Sequence, residues 1–481
     1  MPDTSETSPS AFKRLTLVGG PLALAVTLQI APLPGLTPEG WHLSGIVVWM
    51  VIWWLGQAVP MAGTALLPVV LIPLMGIAPI DEVTAQYANP LIFLFLGGFL
   101  MASAMQVHGL HRRIALAIVG YAGEAAGRIA GGFMLATALL SMWISNTATA
   151  MMMYAVALSV IEFVAAQNDN PEAARRFGVR LMLGIAYGAS IGGVATLIGT
   201  PGNALLASVL RESYGIEIGF GQWMLLGLPL TLIMLPYAHF LLRRMFPSHG
   251  LQLTGAHGLI RAERAALGPM SRAEISVAVV FAAMALGWMT RGALGLPISD
   301  AGIGVAGALI LFVLPDGRGG PVLRWEATQY LPWGVLILLG GGLALARGIE
   351  VTGLGDWIGS GLAGLHGLPL WALILTVIVT AIVLTEVTSN TAVTATFVPV
   401  LAAVALGLGV DVPWLTLPVA LASSMAFMMP IATPPNAIVF SWEGLRLSDM
   451  LRAGFAMHLL SICGIFAVVE LLAPLIFGLT R

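Results

Sequence analysis

The sequence predicts an all-α polytopic membrane protein built from two inverted repeats, with about eleven transmembrane helices and two re-entrant hairpins. Three observations predict it. Of 481 residues, 58% are hydrophobic and only 9% charged, against about 25% charged in a soluble domain, too few to cover the several cores that a soluble chain of this length needs. Apolar runs long enough to span a bilayer follow one another from near residue 15 to 479. Short polar motifs inside those runs recur, in the same order, in the two halves. This composition excludes disorder, a coiled coil and any sizeable soluble catalytic domain. The single cysteine, Cys463, rules out an intramolecular disulfide and a zinc cluster. A net charge of −2 leaves no basic footprint for nucleic acid.

A polar tail, 1–14, ends in Lys13-Arg14. The apolar run at 15–32 has no small-residue cleavage site and reads as a first transmembrane helix rather than a signal peptide. Further apolar segments lie near 41–58, 60–79, 90–107, 131–165, 180–212, 218–242, 272–290, 298–315, 333–347, 369–409, 413–442 and 451–479. Gly-rich amphipathic stretches occupy about 108–128 and 351–367. The one long polar stretch, 247–271 with Arg261, Glu263 and Arg264, divides the chain. The expected organisation is a tail and first helix (1–40), a first repeat (41–246), a cytoplasmic linker (247–271) and a second repeat (272–481).

Ser145-Asn146-Thr147-Ala148 recurs as Ser389-Asn390-Thr391-Ala392, 244 residues on. At the same offset Gly97-Gly98 falls on Gly341-Gly342, and Gly109-Leu110 on Gly353-Leu354. Thr200-Pro201-Gly202-Asn203-Ala204 is answered by Thr433-Pro434-Pro435-Asn436-Ala437 at an offset of 233. A helix-poor Ser-Asn-Thr in mid-segment marks either a broken crossing or the tip of a hairpin, and such backbone is tolerated at membrane depth only where protein or a watery cavity surrounds it. Positive charge decides between them. With the N-terminus inside, the hairpin reading places Lys13, Arg14, Arg112, Arg113, Arg128, Arg175, Arg176, Arg180, Arg243, Arg244, Arg261, Arg264, Arg272, Arg318, Arg324, Arg446 and Arg452 on the cytoplasmic side. Only Arg211, Arg291, Arg347 and Arg481 fall outside, the asymmetry expected of a membrane protein. Each half then crosses five times, and an odd number inverts the second half.

Inverted repeats with paired broken helices point to a secondary transporter whose site lies near the midplane. Hydroxyl and carbonyl oxygens suit a hard cation; amide N–H groups and helix N-termini suit an anion. Ser141 precedes Ser145 by four residues, as Thr385 precedes Ser389, so each pair is expected to share a helical face and to form one of two similar oxygen cages. No Lys or Arg lies in either hairpin core or at either Thr-Pro-x-Asn break. A single charge at that depth costs about 2.5–3.5 kcal/mol, so a bound dianion calls for accompanying cations. Sodium coupling is therefore favoured over anion exchange.

These four motifs, in this order over roughly residues 41–479, resemble the divalent anion/sodium symporter (INDY-type) family. The resemblance implies a homodimeric elevator transporter; the expected location is the cell inner (cytoplasmic) membrane, where the charge asymmetry puts the N-terminus in the cytoplasm and the C-terminus outside. It implies a scaffold domain at about 15–107, 218–246, 272–347 and 451–479, and a sliding transport domain at about 129–212 and 368–442. The stretches near 108–128 and 351–367 become arm helices. Carried onto matching positions, one sodium site uses Ser141, Ser145, Asn146 and Gly199, and the other Thr385, Ser389, Asn390 and Ala432, giving two or more sodium ions per substrate. Asn146, Thr147, Asn390 and Thr391 hold the substrate carboxylates, and Thr200, Pro201, Thr433 and Pro434 close the site. Gly202 departs from the family's second proline, which loosens the backbone beside the substrate and bears on size selectivity.

The function expected is sodium-coupled import of C4-dicarboxylates such as succinate, fumarate or malate. Sulfate or citrate symport and sodium-independent dicarboxylate exchange are the alternatives. An intramembrane enzyme is disfavoured because no GxSxG, HExxH or suitable Asp pair occurs. Glu386, inside the second hairpin with Met142 as counterpart, reads as a structural hydrogen-bond acceptor, with proton coupling as the competing role. The glycine pairs read as close-packing positions. His108 and His366 read as interfacial, Trp49, Trp53 and Trp54 as facing lipid or a subunit interface, and Met151-Met152-Met153 as adaptable packing inside the hairpin.

Overall fold

The computed structural model describes residues 11–121, 123, 125–248, 251, 255–361 and 368–480. His366, Arg481 and residues 362–367 of the second Gly-rich stretch lie outside them. Among the described residues the regular elements are helices, apart from one isolated bridge between Pro315 and Pro321.

The first two helices, α1 (Ala11–Gln29) and α2 (Pro38–Gly56), form an antiparallel pair. Trp53 donates to the Leu17 carbonyl at one end and Trp41 to that of Ile30 at the other. The segment expected as one span at 60–79 is broken into α3 (Met61–Thr64) and α4 (Leu67–Leu74), followed by α5 (Ile80–Ala85). The reason is Pro68, whose ring clashes with the carbonyl four residues back and ends α3 at Thr64. Next, α6 (Pro90–Val107) runs back, and Gly109 at φ +74° turns the chain into helix α7 (Leu110–Tyr121). The first hairpin is α8 (Ala126–Ser141) with α9 (Asn146–Ala166). A broken crossing follows, α10 (Pro171–Val194) and α11 (Pro201–Tyr214), then α12 (Phe220–Met245); the polar linker contains α13 (Ala256–Ala266).

The second half repeats this order. After α14 (Arg272–Leu294), α15 (Asp300–Val313) and α16 (Trp333–Val351), Gly353 at φ +68° turns the chain into helix α17 (Leu354–Gly361). The duplicated Gly-Leu thus marks a left-handed turn that disfavours a side chain. The second hairpin is α18 (Leu370–Thr385) with α19 (Asn390–Gly407), and the second broken crossing is α20 (Pro413–Ser423) with α21 (Pro434–Phe440). The chain closes with α22 (Leu447–Phe477). Among the described residues eight helices are long and apolar enough to cross a membrane, two of them the hairpin limbs α9 and α19; with the paired and shorter apolar helices counted together, the expected eleven crossings and two hairpins can be laid onto them.

The long helix α22, about 46 Å at 1.5 Å per residue, meets the chain just past the two hairpins at its opposite ends, as inverted repeats require. At its start Asp449 accepts from Arg175 at 2.8 Å, just past the first hairpin. At its end Thr480 N donates to Asp411, just past the second, and the Thr480 carbonyl accepts from Trp414. Both limbs of the first hairpin end beside the linker: His239 lies against Gly131 near the start of α8, and Phe163 near the end of α9 lies against Gly255. The first segment therefore doubles back, and the two hairpins enter from opposite faces. The charges sort accordingly. The linker face pairs Arg112 with Glu263 (2.6 Å) and Arg113 with Glu274 (2.7 Å). On the opposite face Arg211 and Arg291 line one recess and Arg347 a neighbouring one.

Of the three tryptophans, Trp54 departs from expectation. Trp54 is buried and donates to the Met61 carbonyl of α3, while Trp49 and Trp53 are half-buried with their rings close on Gly20 of α1. The methionine run also divides, with Met151 58% exposed and Met153 buried, because successive helical positions point in different directions. The glycine pairs pack closely, as expected. A Cβ on Gly97 would lie 2.4 Å from the Gly304 backbone in α15, and one on Gly341 would lie 2.3 Å from the Ala65 carbonyl. Small residues let membrane helices approach to backbone contact. Gly97→Ala should therefore lower the thermal midpoint of the purified protein, by an overpacking cost of about 1–3 kcal/mol. Gly127→Ala, with nothing within 4 Å, should not; equal midpoints would refute the backbone contact.

Candidate functional site

Each hairpin tip gathers oxygens from both sides of its break. In the first half Ser141 ends α8, and its hydroxyl lies within hydrogen-bond reach of the Asn146 carboxamide oxygen and of the Ala189 carbonyl in α10 (2.8 Å). In the second, Thr385 Oγ1 lies 2.6 Å from Asn390 Oδ1 and 2.6 Å from the Ser423 carbonyl. A hydroxyl has one proton, so each trio of oxygens holds more lone pairs than donors. Such a cluster of oxygens suits a hard cation. The expectation that Ser141 and Ser145, or Thr385 and Ser389, share one helical face is corrected. Ser145 and Ser389 are N-caps of the next helices, α9 and α19, so each cage closes across a break rather than along a turn.

The broken crossings are tied to these tips in two ways. In the first half the Thr196 hydroxyl donates to the Met142 carbonyl and accepts from Gly199 N at 3.1 Å. The Asn203 amide donates to the Thr196 carbonyl at 2.8 Å, closing the loop before α11. In the second half Glu386 performs the tie. Its Oε1 accepts from Phe427 N (2.7 Å) and Met428 N (2.9 Å), and its Oε2 from Met429 N (2.7 Å). The Asn436 amide donates to the Met429 carbonyl at 3.0 Å. Thr196 and Met429 are equivalent at the 233-residue offset, as are Met142 and Glu386 at 244. The structural reading of Glu386 is the one this geometry supports. His458 of α22, 2.7 Å from Glu386 Oε1, is a partner that no motif announced.

Between the tips lies a cavity of about 740 Å³. It brings together Ser145, Asn146 and Thr147 with Gly199, Thr200 and Pro201 of one half, and Ser389, Asn390 and Thr391 with Ala432, Thr433 and Pro434 of the other. Ser141 and Thr385 stand one layer behind, against the two asparagines. The helices α9, α11, α19 and α21 all begin at this cavity, so the positive ends of their dipoles face it, an arrangement suited to an anion; Pro201 and Pro434-Pro435, which open α11 and α21, contribute no N–H. No lining residue carries a charge. Sequence reasoning missed Gln57, Phe99, Pro332 and Val335, which wall the cavity. Gln57 caps α2 at φ +48°, the one non-glycine residue with positive φ among those described. No repeat or motif marks these four, because they come from elements outside the motifs.

Gly202 is not among the lining residues. It is buried in α11, where a Cβ would lie 2.9 Å from Thr394 Oγ1 on α19. Its equivalent, Pro435, does line the cavity. The expected effect of Gly202, a loosened backbone beside the substrate, is thus corrected: the missing side chain lets α11 of one half seat against the hairpin of the other.

The sodium:sulfate symporter transmembrane region family matches residues 13–478. The sodium-dependent dicarboxylate transporter SdcS of Staphylococcus saprophyticus is 38% identical over 476 residues, covering 96% of this chain and 92% of that one. SdcS of Staphylococcus aureus strain USA300 is 37% identical over 483 residues, 98% of this chain and 93% of its own. Among solved structures, the Alcanivorax borkumensis YdaH transporter superposes with a TM-score of 0.56 over 97% of this chain and 98% of its own, at 13% identity. That likeness concerns the fold.

Glu386→Gln keeps the shape but replaces one acceptor oxygen with a donor, leaving a buried N–H of the 427–429 turn unpaired. An unsatisfied group of this kind costs about 1–3 kcal/mol, so the variant's thermal midpoint should fall. An unchanged midpoint would remove the carboxylate from its bracing role.

Proposed function

This chain belongs to the divalent anion/sodium symporter family, and we propose that it imports C4-dicarboxylates such as succinate, fumarate or malate coupled to sodium. The observation that carries this is a charge-free cavity flanked by two oxygen cages, each with fewer protons than its lone pairs require. A dianion needs compensation at that depth, and cations in the cages supply it. Sodium at Ser141, Ser145, Asn146 and the Gly199 carbonyl, and at Thr385, Ser389, Asn390 and the Ala432 carbonyl, gives two ions per substrate at least. Each asparagine belongs to a cage and to the cavity wall, so cation binding orients the carboxamides that meet the anion. Sodium first and substrate second is the order this favours. Asn146, Thr147, Asn390 and Thr391 then receive the carboxylates, with Thr200, Pro201, Thr433 and Pro434 at the helix N-termini closing over them. The similarity to sodium-dependent dicarboxylate transporters supports both ligands.

The transport cycle we propose is an elevator in a homodimer, with the hairpins and broken crossings moving as one body. Paired arm helices hinged at Gly109 and Gly353 support it. Helices α12 and α22 pack on each other and on α10 and α20. We therefore place 218–246 and 451–479 with the moving body, unlike the assignment from sequence. The remaining scaffold is α1–α6 with α14–α16. The excess of arginine on the linker face supports a cytoplasmic linker and N-terminus, with the C-terminus outside, in the inner membrane of a bacterial cell.

Uptake of labelled succinate into proteoliposomes should require an inward sodium gradient and be competed by fumarate and malate more strongly than by sulfate, citrate or glutamate. Sulfate competing better than fumarate would overturn the substrate assignment. Sodium should also raise the thermal midpoint over choline at equal ionic strength, and Asn146→Ala or Asn390→Ala should abolish that gain. Glu386→Gln should retain sodium dependence; loss of pH dependence alone would restore its proton-coupling role.

A further inference from the structure

Most buried polar side chains here have partners; Arg180 does not. It lies in α10, 3% exposed, and its Nε and Nη2 find no hydrogen-bond partner. The charged group facing it is another cation, Arg243 of α12. His239 of α12 feels both arginines, and its Nδ1 is likewise buried and unpartnered. The helices α10 and α12 pack along each other, and α8 closes the third side with Gly131, where a Cβ would lie 3.1 Å from the imidazole. None of the ion pairs among the described residues includes Arg180 or Arg243. The sequence between Glu217 and Glu263 contains no acidic residue, so α12 offers no counter-charge.

A buried guanidinium without a counter-ion is strongly unfavourable, and an anion is the group that offsets it best. Its shape can be read from the free donors. Nε and Nη2 form the edge of the guanidinium that grips two oxygens in parallel. His239 Nδ1 offers a third contact. A phosphodiester headgroup brings two free oxygens to that edge and ester oxygens to the third contact, which a carboxylate lacks, and its single negative charge offsets one of the two arginines. Its surroundings indicate where it comes from. His239 and Arg243 are one turn apart on α12, and on the same flank Leu232 and Phe240 are 64% and 63% exposed. Side chains lean toward the N-terminus of their helix, so Arg180 leans toward the linker face, where α10 begins. A basic cluster toward that face, bordered by exposed apolar residues, fits an anionic lipid headgroup. We propose that Arg180, His239 and Arg243 form a phosphate-binding site, separate from the transport cavity and filled by an anionic phospholipid.

The test uses full-length protein, delipidated by detergent exchange and titrated with phosphatidylglycerol, phosphatidylcholine or inorganic phosphate. The readouts are thermal midpoint and lipid retention by native mass spectrometry. Phosphatidylglycerol should raise the midpoint by about 3 °C or more, and phosphatidylcholine should not. Arg180→Met should abolish the gain, weaken retention about tenfold and, by removing an unpaired charge, raise the midpoint of the delipidated protein. Arg244→Gln, at an exposed neighbour outside the cluster, should keep the gain. Inorganic phosphate giving the same gain, lost in Arg180→Met, would support the site with a soluble ligand. Failure of both phosphatidylglycerol and phosphate, or a gain that persists in Arg180→Met, would overturn it. If Arg180→Met does not fold, Arg243→Gln must cut the gain, and a full gain there would equally overturn the site.

Discussion

Backbone that leaves the helix at membrane depth must satisfy its own polar groups, because lipid cannot. The rest of this structure depends on how that constraint is met at four breaks. The hairpin tips at 142–145 and 386–389 and the loops before α11 and α21 are held by side chains rather than by a ladder. Asn203 and Asn436 cap the loop carbonyls with their amides, and Thr196 and Glu386 tie each tip to its neighbouring loop. Only with the breaks held in this way can four helix N-termini and two oxygen clusters share one cavity.

The two halves meet the same demand with different chemistry. A neutral hydroxyl-to-carbonyl bond serves in the first; in the second a carboxylate receives three backbone N–H groups. The difference explains how an acid can sit beside a site for anions. Glu386 is turned toward the 427–429 turn and His458 and does not line the cavity, so its charge is taken up by fixed dipoles instead of opposing a dianion. The halves also interlock: α11 lies against α19 at Gly202 and Thr394, and α21 lies against α9 and α10, with Trp442 on Gly178. A change in one repeat therefore reaches the site through both.

Much of this was legible in the sequence wherever a physical demand was met twice by the same residues. The Ser-Asn-Thr tips, the Thr-Pro-x-Asn breaks, the glycines packed at Gly97 and Gly341 and the left-handed turns at Gly109 and Gly353 all recur at fixed offsets. Features that occur once were not legible. Nothing in a linear pattern pairs His458 with Glu386 across 72 positions, brings Gln57 to the cavity wall, turns Trp54 inward, or shows that a missing side chain at Gly202 serves packing. The shared helical face assumed for Ser141 and Ser145 failed for a related reason: spacing carries geometry only while the helix continues, and here it stops between them.

By itself the sequence determined the class, the duplication and the sorting of charge, because hydropathy, repeated motifs and arginine placement act locally and need no partner. Only the tertiary structure decided which side chain satisfies each broken backbone group, which elements wall the cavity, and that Arg180 has no counter-charge. Those are properties of contacts between distant segments, and a hydrogen bond or an unpaired charge exists only once both sides have been brought together.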